Sequence, residues 1–460
     1  MTPIFTDITY QDLISSHDLP AALSDAVRRY RASEAFRRAL DAEAYFRGEG
    51  TAVSRKTVLR VRKLELKDPN GRRRSTASLQ DVVGNRVSSM FLHRFVTQQV
   101  QYLLGNGCTL EDAALKRSLG TGFDHTLARA GEAALLHGVC WLFWNEDHCE
   151  PLPAVKGPYS GFCPIFDELD SRLRCGIQFW QLGPRRPRYL RFFEEDGVSL
   201  WREGKDGPEL LRAKEPYVRT VTRHYGGGVV PSSEEDAAPG ALPIVPFWGN
   251  PEHRSELTDA IRSKIDAYDR ILSDFADNLD RANDVYWVLN NFGGTAEDVA
   301  ETLETIHRLK AVAAMTDGSG QSATAEPRTI EVPYAAREAA LKLLHRNLYE
   351  DYMALDMDEL TGGSLTNVAI RTAAAALDLK ADRFEWQAFA CVQGLLRLRG
   401  HDTDAIRFQR QDIGNASETV ADIAVMRQDI DRVTALKLNP YIQTEEVERI
   451  AGERAASSGR

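Results

Sequence analysis

Residues 242–279, LPIVPFWGNPEHRSELTDAIRSKIDAYDRILSDFADNL, constrain this chain more than any other stretch, because most of the segment reads as one long amphipathic helix. Leu257, Ile261, Ile265, Tyr268, Leu272, Phe275 and Leu279 recur at intervals of four, four, three, four, three and four, a single apolar stripe. The opposite face carries Asp259, Arg262, Asp266, Asp269, Arg270, Asp277 and Asp280, and is expected to meet water or a charged guest. A helix of about 27 residues is about 40 Å long, more than a compact domain usually needs. A second long helix is expected over 334–355, with Pro333 just before its start. Such stripes need cover. Identical copies packed side by side would provide it.

The bulk numbers narrow the class. With 460 residues, 43% hydrophobic and 27% charged, the chain can hold several structural units and is not disordered as a whole. No run approaches the roughly 18 apolar residues of a membrane span. The start, MTPIFTDITYQDL, lacks the basic and apolar parts of a signal peptide, so synthesis in the cytoplasm and no membrane partner are expected. A net charge of −10 argues against a protein that grips nucleic acid over its whole surface. Cys108, Cys140, Cys149, Cys163, Cys175 and Cys391 form no C-x-x-C pair and read as reduced thiols. Metal binding by Cys140, His148 and Cys149 is disfavoured, because adjacent His148 and Cys149 cannot easily share a tetrahedral ion with a residue eight positions back.

Residues 20–48 read as helical and end at Gly48. Residues 56–74 are strongly basic, with Pro69-Asn70-Gly71 as a turn between short strands; lacking aromatic residues to stack on bases, they read as a solvated hairpin rather than a nucleic-acid patch. A helix is expected over 82–104, with Val83, Val87, Met90, Phe91, Phe95 and Val100 inward, and further helix over 109–137. The period then changes: VCWLFWNE, CGIQFWQL, RYLRFFEED, VSLWRE and YVRTVTRHY predict a twisted antiparallel sheet whose aromatic residues Trp141, Phe143, Trp144, Phe179 and Trp180 form core rather than a ligand cage. Residues 226–240 are a turn-rich loop. After the long helix, VYWVLNN reads as a strand, 296–309 as a helix, KAVAAM as a second strand and 317–327 as a loop. Asp356, Asp358 and Glu359 offer at most a weak divalent-ion motif. Gly362-Gly363 loosens the backbone before a helix that Ser364 or Thr366 can cap, and 417–460 reads as two polar helices broken at Asn439-Pro440.

Three ordered stretches resemble the portal proteins of tailed bacteriophages, the long-tailed type in particular. The first is Tyr45-Phe46-Arg47-Gly48, then Asn85-Arg86-Val87, then Tyr102-Leu103-Leu104-Gly105-Asn106. The second is Pro246, Phe247, Trp248 and Asn250, followed by Leu257, Ile261, Ile265-Asp266-Ala267-Tyr268-Asp269, Ser273 and Asn278. The third is 362–370, GGSLTNVAI, followed by Leu377-Asp378-Leu379-Lys380-Ala381. The chain departs from the family at Gly107-Cys108, where a proline is usual, and at 364–367, which reads SLTN where the family has NxSG.

The resemblance implies an α+β portal fold: a mixed wing over 1–250, a helical stem over 251–282 and 333–355, a small α/β clip over 283–332, a tunnel loop and channel helix over 356–400, and the wing end and helical crown over 401–460. It implies a homo-oligomeric ring of about a dozen copies at a capsid vertex, assembled in the bacterial cytoplasm and carried in the virion. Its expected partners are double-stranded DNA, held transiently and without sequence preference, the large terminase subunit, a head-to-tail connector, and capsid and scaffolding proteins. Thr361, Gly362, Gly363, Ser364, Leu365, Thr366, Asn367, Arg371 and Lys380 would meet DNA, and the seven-residue apolar stripe would meet neighbouring subunits. No cofactor, metal or catalytic residue is implied.

No P-loop, H-E-x-x-H or G-x-S-x-G motif is present, and the ten histidines are dispersed, with His137 reading as a core residue. The alternatives are a metal-dependent nucleic-acid-processing enzyme built on the basic hairpin and Asp356/Asp358, or another phage head adaptor.

Overall fold

The computed structural model of the chain describes residues 7–49, 57–61, 79–145, 148–204, 207–217, 222–225, 228–231, 242–282, 286–290, 324–328, 334–360, 366–411, 413, 416–426, 429–439, 441–442, 447 and 450. The protein is mixed α and β, in agreement with the α+β expectation. Its helices are α1 (Tyr10–Ser15), α2 (Leu19–Ala32), α3 (Glu34–Phe46), α4 (Phe91–Leu104), α5 (Ala113–Ser118), α6 (Phe123–His137), α7 (Asp259–Ala282), α8 (Tyr334–Tyr352), α9 (Met357–Leu360), α10 (Asn367–Leu398), α11 (Ala416–Met426) and α12 (Arg432–Leu438). Two compact units divide the chain: Met1–Gly48, Met90–Ile261 and Tyr349–Arg460 form the first, Glu49–Ser89 and Arg262–Leu348 the second.

The first unit is built on antiparallel strands. β6 (Gly161–Phe166), β7 (Leu173–Trp180), β8 (Tyr189–Glu194), β9 (Gly197–Gly204) and β10 (Gly207–Glu215) pair in sequence order as a five-stranded meander. β4 (Val139–Asn145) pairs with β5 (His148–Pro153) on one side and β13 (Ile244–Trp248) on the other, a separate three-stranded sheet rather than part of one large sheet. Two smaller pairs complete the unit, β3 (Cys108–Leu110) with β16 (Ile406–Phe408), and β11 (Thr222–Tyr225) with β12 (Gly228–Pro231). Three of the five expected aromatic residues, Trp141, Phe143 and Phe179, are buried in one cluster with Phe162, Phe193 and the α2–α3 residues Tyr30 and Phe36, whereas Trp144 is buried outside it and Trp180 is half-buried. Tyr30 donates its hydroxyl hydrogen to the Ala154 carbonyl at 2.9 Å, which satisfies the phenol inside that core.

Ser33 divides the helix expected over 20–48 into α2 and α3, its hydroxyl accepting from the Phe36 amide to cap the second. Residues 109–137 likewise split into β3, α5 and α6, with Gly138 at φ 89° turning the chain from α6 into β4.

In the second unit, β1 (Thr57–Val61) pairs antiparallel with β2 (Leu79–Val83), and β14 (Tyr286–Asn290) with β15 (Thr324–Arg328). β2 corrects the helix expected from 82: α4 begins only at Phe91, and residues 84–90 are neither helix nor strand. β15 corrects the loop expected over 317–327, its Pro327 lying opposite Trp287 in a two-stranded ladder where a missing amide is tolerated. The expected turn at 69–71, most of the basic run and the helix over 296–309 lie outside the described residues.

Candidate stem and channel residues

α7 is 24 residues long and bears the stripe that organises the sequence, but the row it buries is a different one. The apolar stripe and the buried row coincide at Ile261 and Ile265, which are 3% and 2% exposed. Beyond them the buried row continues at four-residue steps through Asp269, Ser273 and Asp277, all within 6% exposure, while Tyr268, Leu272 and Phe275 are half-buried and Leu279 is 42% exposed. Leu257, ahead of the helix, is half-buried. The expectation that Asp269 and Asp277 face water is therefore overturned.

The reason lies in residues 84–90. Asn85 donates its amide to Asp277 Oδ1 at 2.8 Å, Val87 to Ser273 Oγ at 3.0 Å and Ser89 to Asp269 Oδ1 at 2.9 Å. Ser273 returns its hydroxyl hydrogen to the Val87 carbonyl at 3.3 Å. Every fourth side chain of a helix is spaced about 6.0 Å and every second amide of an extended chain about 6.6 Å, so three polar residues of α7 satisfy three alternate amides of a segment running antiparallel to it. These side chains take the place of a sheet neighbour. That is why 84–90 does not continue as the helix its apolar residues suggest. Burial pushes the Asp269 carboxyl up to about 6, against the lowering effect of the Ser89 hydrogen bonds.

α8 runs from Tyr334 to Tyr352 and ends at Met353, whose φ of 62° breaks the helix before the expected residue 355. Only Leu348 and Tyr352 are fully buried, both near its end, whereas Tyr334 and Leu343 are 48% and 59% exposed. The apolar residues of α8 surround the axis instead of forming one stripe.

α10 is the longest helix among the described residues, 32 residues from Asn367. Ala374, Leu377, Ala381, Phe384, Ala388, Cys391 and Leu395 form its buried row at strictly alternating steps of three and four. Phe384 stacks on Phe247 with centroids 5.6 Å apart, joining α10 to β13. Thr366 caps the start through the Ala369 amide at 3.3 Å, and Glu418 of α11 accepts the Asn367 amide at 2.6 Å. The second cap, a carboxylate at a helix N-terminus, joins residues 51 apart and has no local sequence signature.

The sites expected to meet DNA fare unequally. Thr361, Gly362, Gly363, Ser364 and Leu365 lie outside the described residues, and Thr366 and Arg371 are exposed. Lys380 is largely buried. Its ammonium donates to Glu256 Oε2 at 2.7 Å and to the Tyr352 carbonyl at 2.8 Å, and it sits over the Tyr352 ring at 3.2 Å. Its side chain is 12% exposed and its charge is engaged within the chain. Burial lowers the pKa of Lys380, and the adjacent Glu256 counters this.

The phage portal protein model of the SPP1 Gp6-like type matches residues 34–460. The chain belongs to that family. Among curated proteins, a portal protein of Clostridium phage phiCD119 is 32% identical over 145 residues, 32% of this chain and 32% of that protein. A portal protein of Bacillus phage SPP1 is 31% identical over 232 residues, 46% of this chain and 44% of that protein. The chain thus spans less than half of the length of each of these two relatives.

Portal proteins are structural components of phage virions. In this member, no helix of the described residues is long and apolar enough to cross a membrane. All six cysteines are free and buried, and burial raises each thiol above its ordinary value, which leaves little thiolate for catalysis or metal binding. His137 is buried as expected, its Nε2 3.5 Å from Glu43. Asp356 accepts the Asp358 amide at 3.1 Å, the ordinary turn that opens α9.

Proposed function

We propose that this portal-family chain is the repeating subunit of a closed ring of about a dozen copies at one capsid vertex, a passive conduit through which DNA is packaged and ejected. The family match from residue 34 to 460 carries this reading. α7 supports it physically: Leu272 and Phe275 stay half-buried and Leu279 exposed in the single chain, apolar area that a neighbour's contact would cover.

In this reading α7 and α8 are the stem and 283–332 the clip, where a head-to-tail connector and the large terminase subunit dock. Residues 356–400 supply the tunnel loop and channel helix, 401–460 the wing end and crown, and 1–250 the wing. A separate ATP-driven motor does the work, and capsid and scaffolding proteins grip the outer rim. A dozen copies at −10 each sum to about −120, so the lumen repels phosphate rather than trapping it. Arg371 remains as the basic residue of the channel helix start, and its phosphate contacts would be weak and salt-sensitive.

Negative-stain electron microscopy and mass photometry of the purified chain test the reading. Rings of about twelve subunits with a central hole are expected; monomers alone at high concentration in physiological salt would overturn it.

A further inference from the structure

The buried row of α10 leaves the other side of the helix unexplained. Val368, Thr372, Ala375, Leu379, Asp382 and Trp386 follow one another at steps of four, three, four, three and four, and all six are exposed. This second heptad-spaced row lies about half a turn from the buried one. Val368 is 74% exposed, Leu379 60% and Trp386 71%, with only the edge of Phe389, 6.3 Å away, beside the indole. A tryptophan so bare beside an exposed leucine is a contact surface rather than scatter.

The charge beside the row selects its occupant. Asp382 belongs to the row and Asp378 and Glu385 lie beside it, and among the described residues Arg410 is the one guanidinium paired with all three, which gives the group a net charge of −2. The first unit also carries two strongly exposed leucines at hairpin tips, Leu169 at 92% and Leu182 at 87%. Leu169 stands among Asp167, Glu168 and Asp170, whose charge Arg172 and Arg174 only offset, so that tip has no spare positive charge to offer. Leu182 opens the β7–β8 turn, LGPRRP, whose Arg185 and Arg186 are exposed and in no salt bridge among the described residues. Pro184 and Pro187 stiffen this tip, so little ordering entropy opposes its docking. A closed ring requires two different patches on one chain, each complementary to the other.

We infer that the Leu379–Trp386 face of α10 docks the Leu182–Pro187 hairpin tip of a neighbouring copy. Leu182 packs against Trp386 and Leu379, and Arg185 and Arg186 meet the two spare charges of the Asp378, Asp382 and Glu385 group. The inference rests on the ring reading above and adds the contact that closes it.

Single-cysteine pairing tests it, because the six native cysteines are buried. Leu182→Cys and Trp386→Cys full-length chains are purified separately, then oxidised alone and mixed, with wild-type rings imaged in parallel. A disulfide-linked dimer is expected in the mixture and in neither variant alone. Arg185→Glu with Arg186→Glu is expected to raise the concentration needed for half-assembly about tenfold, and more at low salt. Rings in the wild type with no dimer in the mixture, or a dimer from Trp386→Cys alone, overturn this contact and leave the ring standing. Absence of wild-type rings overturns the ring reading itself.

Discussion

α7 and α10 are both long, both amphipathic by sequence, and buried by opposite chemistry. α10 buries Ala374, Leu377, Ala381, Phe384 and Ala388 in the ordinary way, and its polar contacts lie at the margins. α7 begins with Ile261 and Ile265 but then buries Asp269, Ser273 and Asp277, because an extended segment needs hydrogen-bond acceptors there. The difference teaches that an apolar stripe marks where a helix can shed water, whereas its buried row also depends on what the neighbouring backbone lacks. On α7 the two rows diverge after one turn, and the rest of the stripe stays half-buried or exposed.

The contrast can be broken at its one exception, the buried ion pair on α10. Lys380→Ala is expected to lower stability by about 3 kcal/mol, because Glu256 would be left buried and uncompensated. Thermal unfolding measures this, and an unchanged midpoint with weakened DNA retention would restore Lys380 to the channel.

Asp269→Asn sharpens the contrast on α7. The native carboxyl titrates near 6 and an unfolded one near 3.8, so between those values the folded state holds a proton that the unfolded state has lost. Stability from this group is therefore full below about pH 4, falls as pH rises, and reaches its lowest level above about pH 6. Asparagine keeps an acceptor for the Ser89 amide and does not titrate. The variant should match wild type near pH 4 and exceed it by about 2 kcal/mol at pH 7.5, read from denaturant unfolding at the two pH values. A gain independent of pH would contradict the burial of a charged group.

The smallest effect belongs to the start of α10. Thr366→Ala removes one of two caps and should cost about 1 kcal/mol, with the Glu418 contact preserving the helix. Hydrogen exchange at residues 367–370 should speed up while the rest of α10 is unaffected.

Much of this was legible from spacing. The long helices, the aromatic core of the first unit and the reduced cysteines follow from periodicity and composition, which act over a few residues. The illegible parts are long-range. Val87 and Met90 stand at helical spacing ahead of Phe91, yet the amides of 85, 87 and 89 answer to side chains some 180 to 192 positions away. Lys380 reads as a basic channel residue until Glu256, 124 positions earlier, is placed beside it. Glu418 carries no mark of its role in capping α10. Strand Thr324–Arg328, with a proline and mixed polarity, shows its nature only through pairing with Tyr286–Asn290.

The three side chains that seat residues 85–89 also act as a vernier. Helix and extended chain advance by about 6.0 and 6.6 Å per notch, so their graduations drift apart by about 0.6 Å each time and coincide over only a few marks. Sliding the segment by one position would turn its amides away, and sliding it by two would strand an end notch. The seat therefore has a single setting and a built-in length, and inserting one residue within the segment would turn every amide on one side of the insertion away from its acceptor.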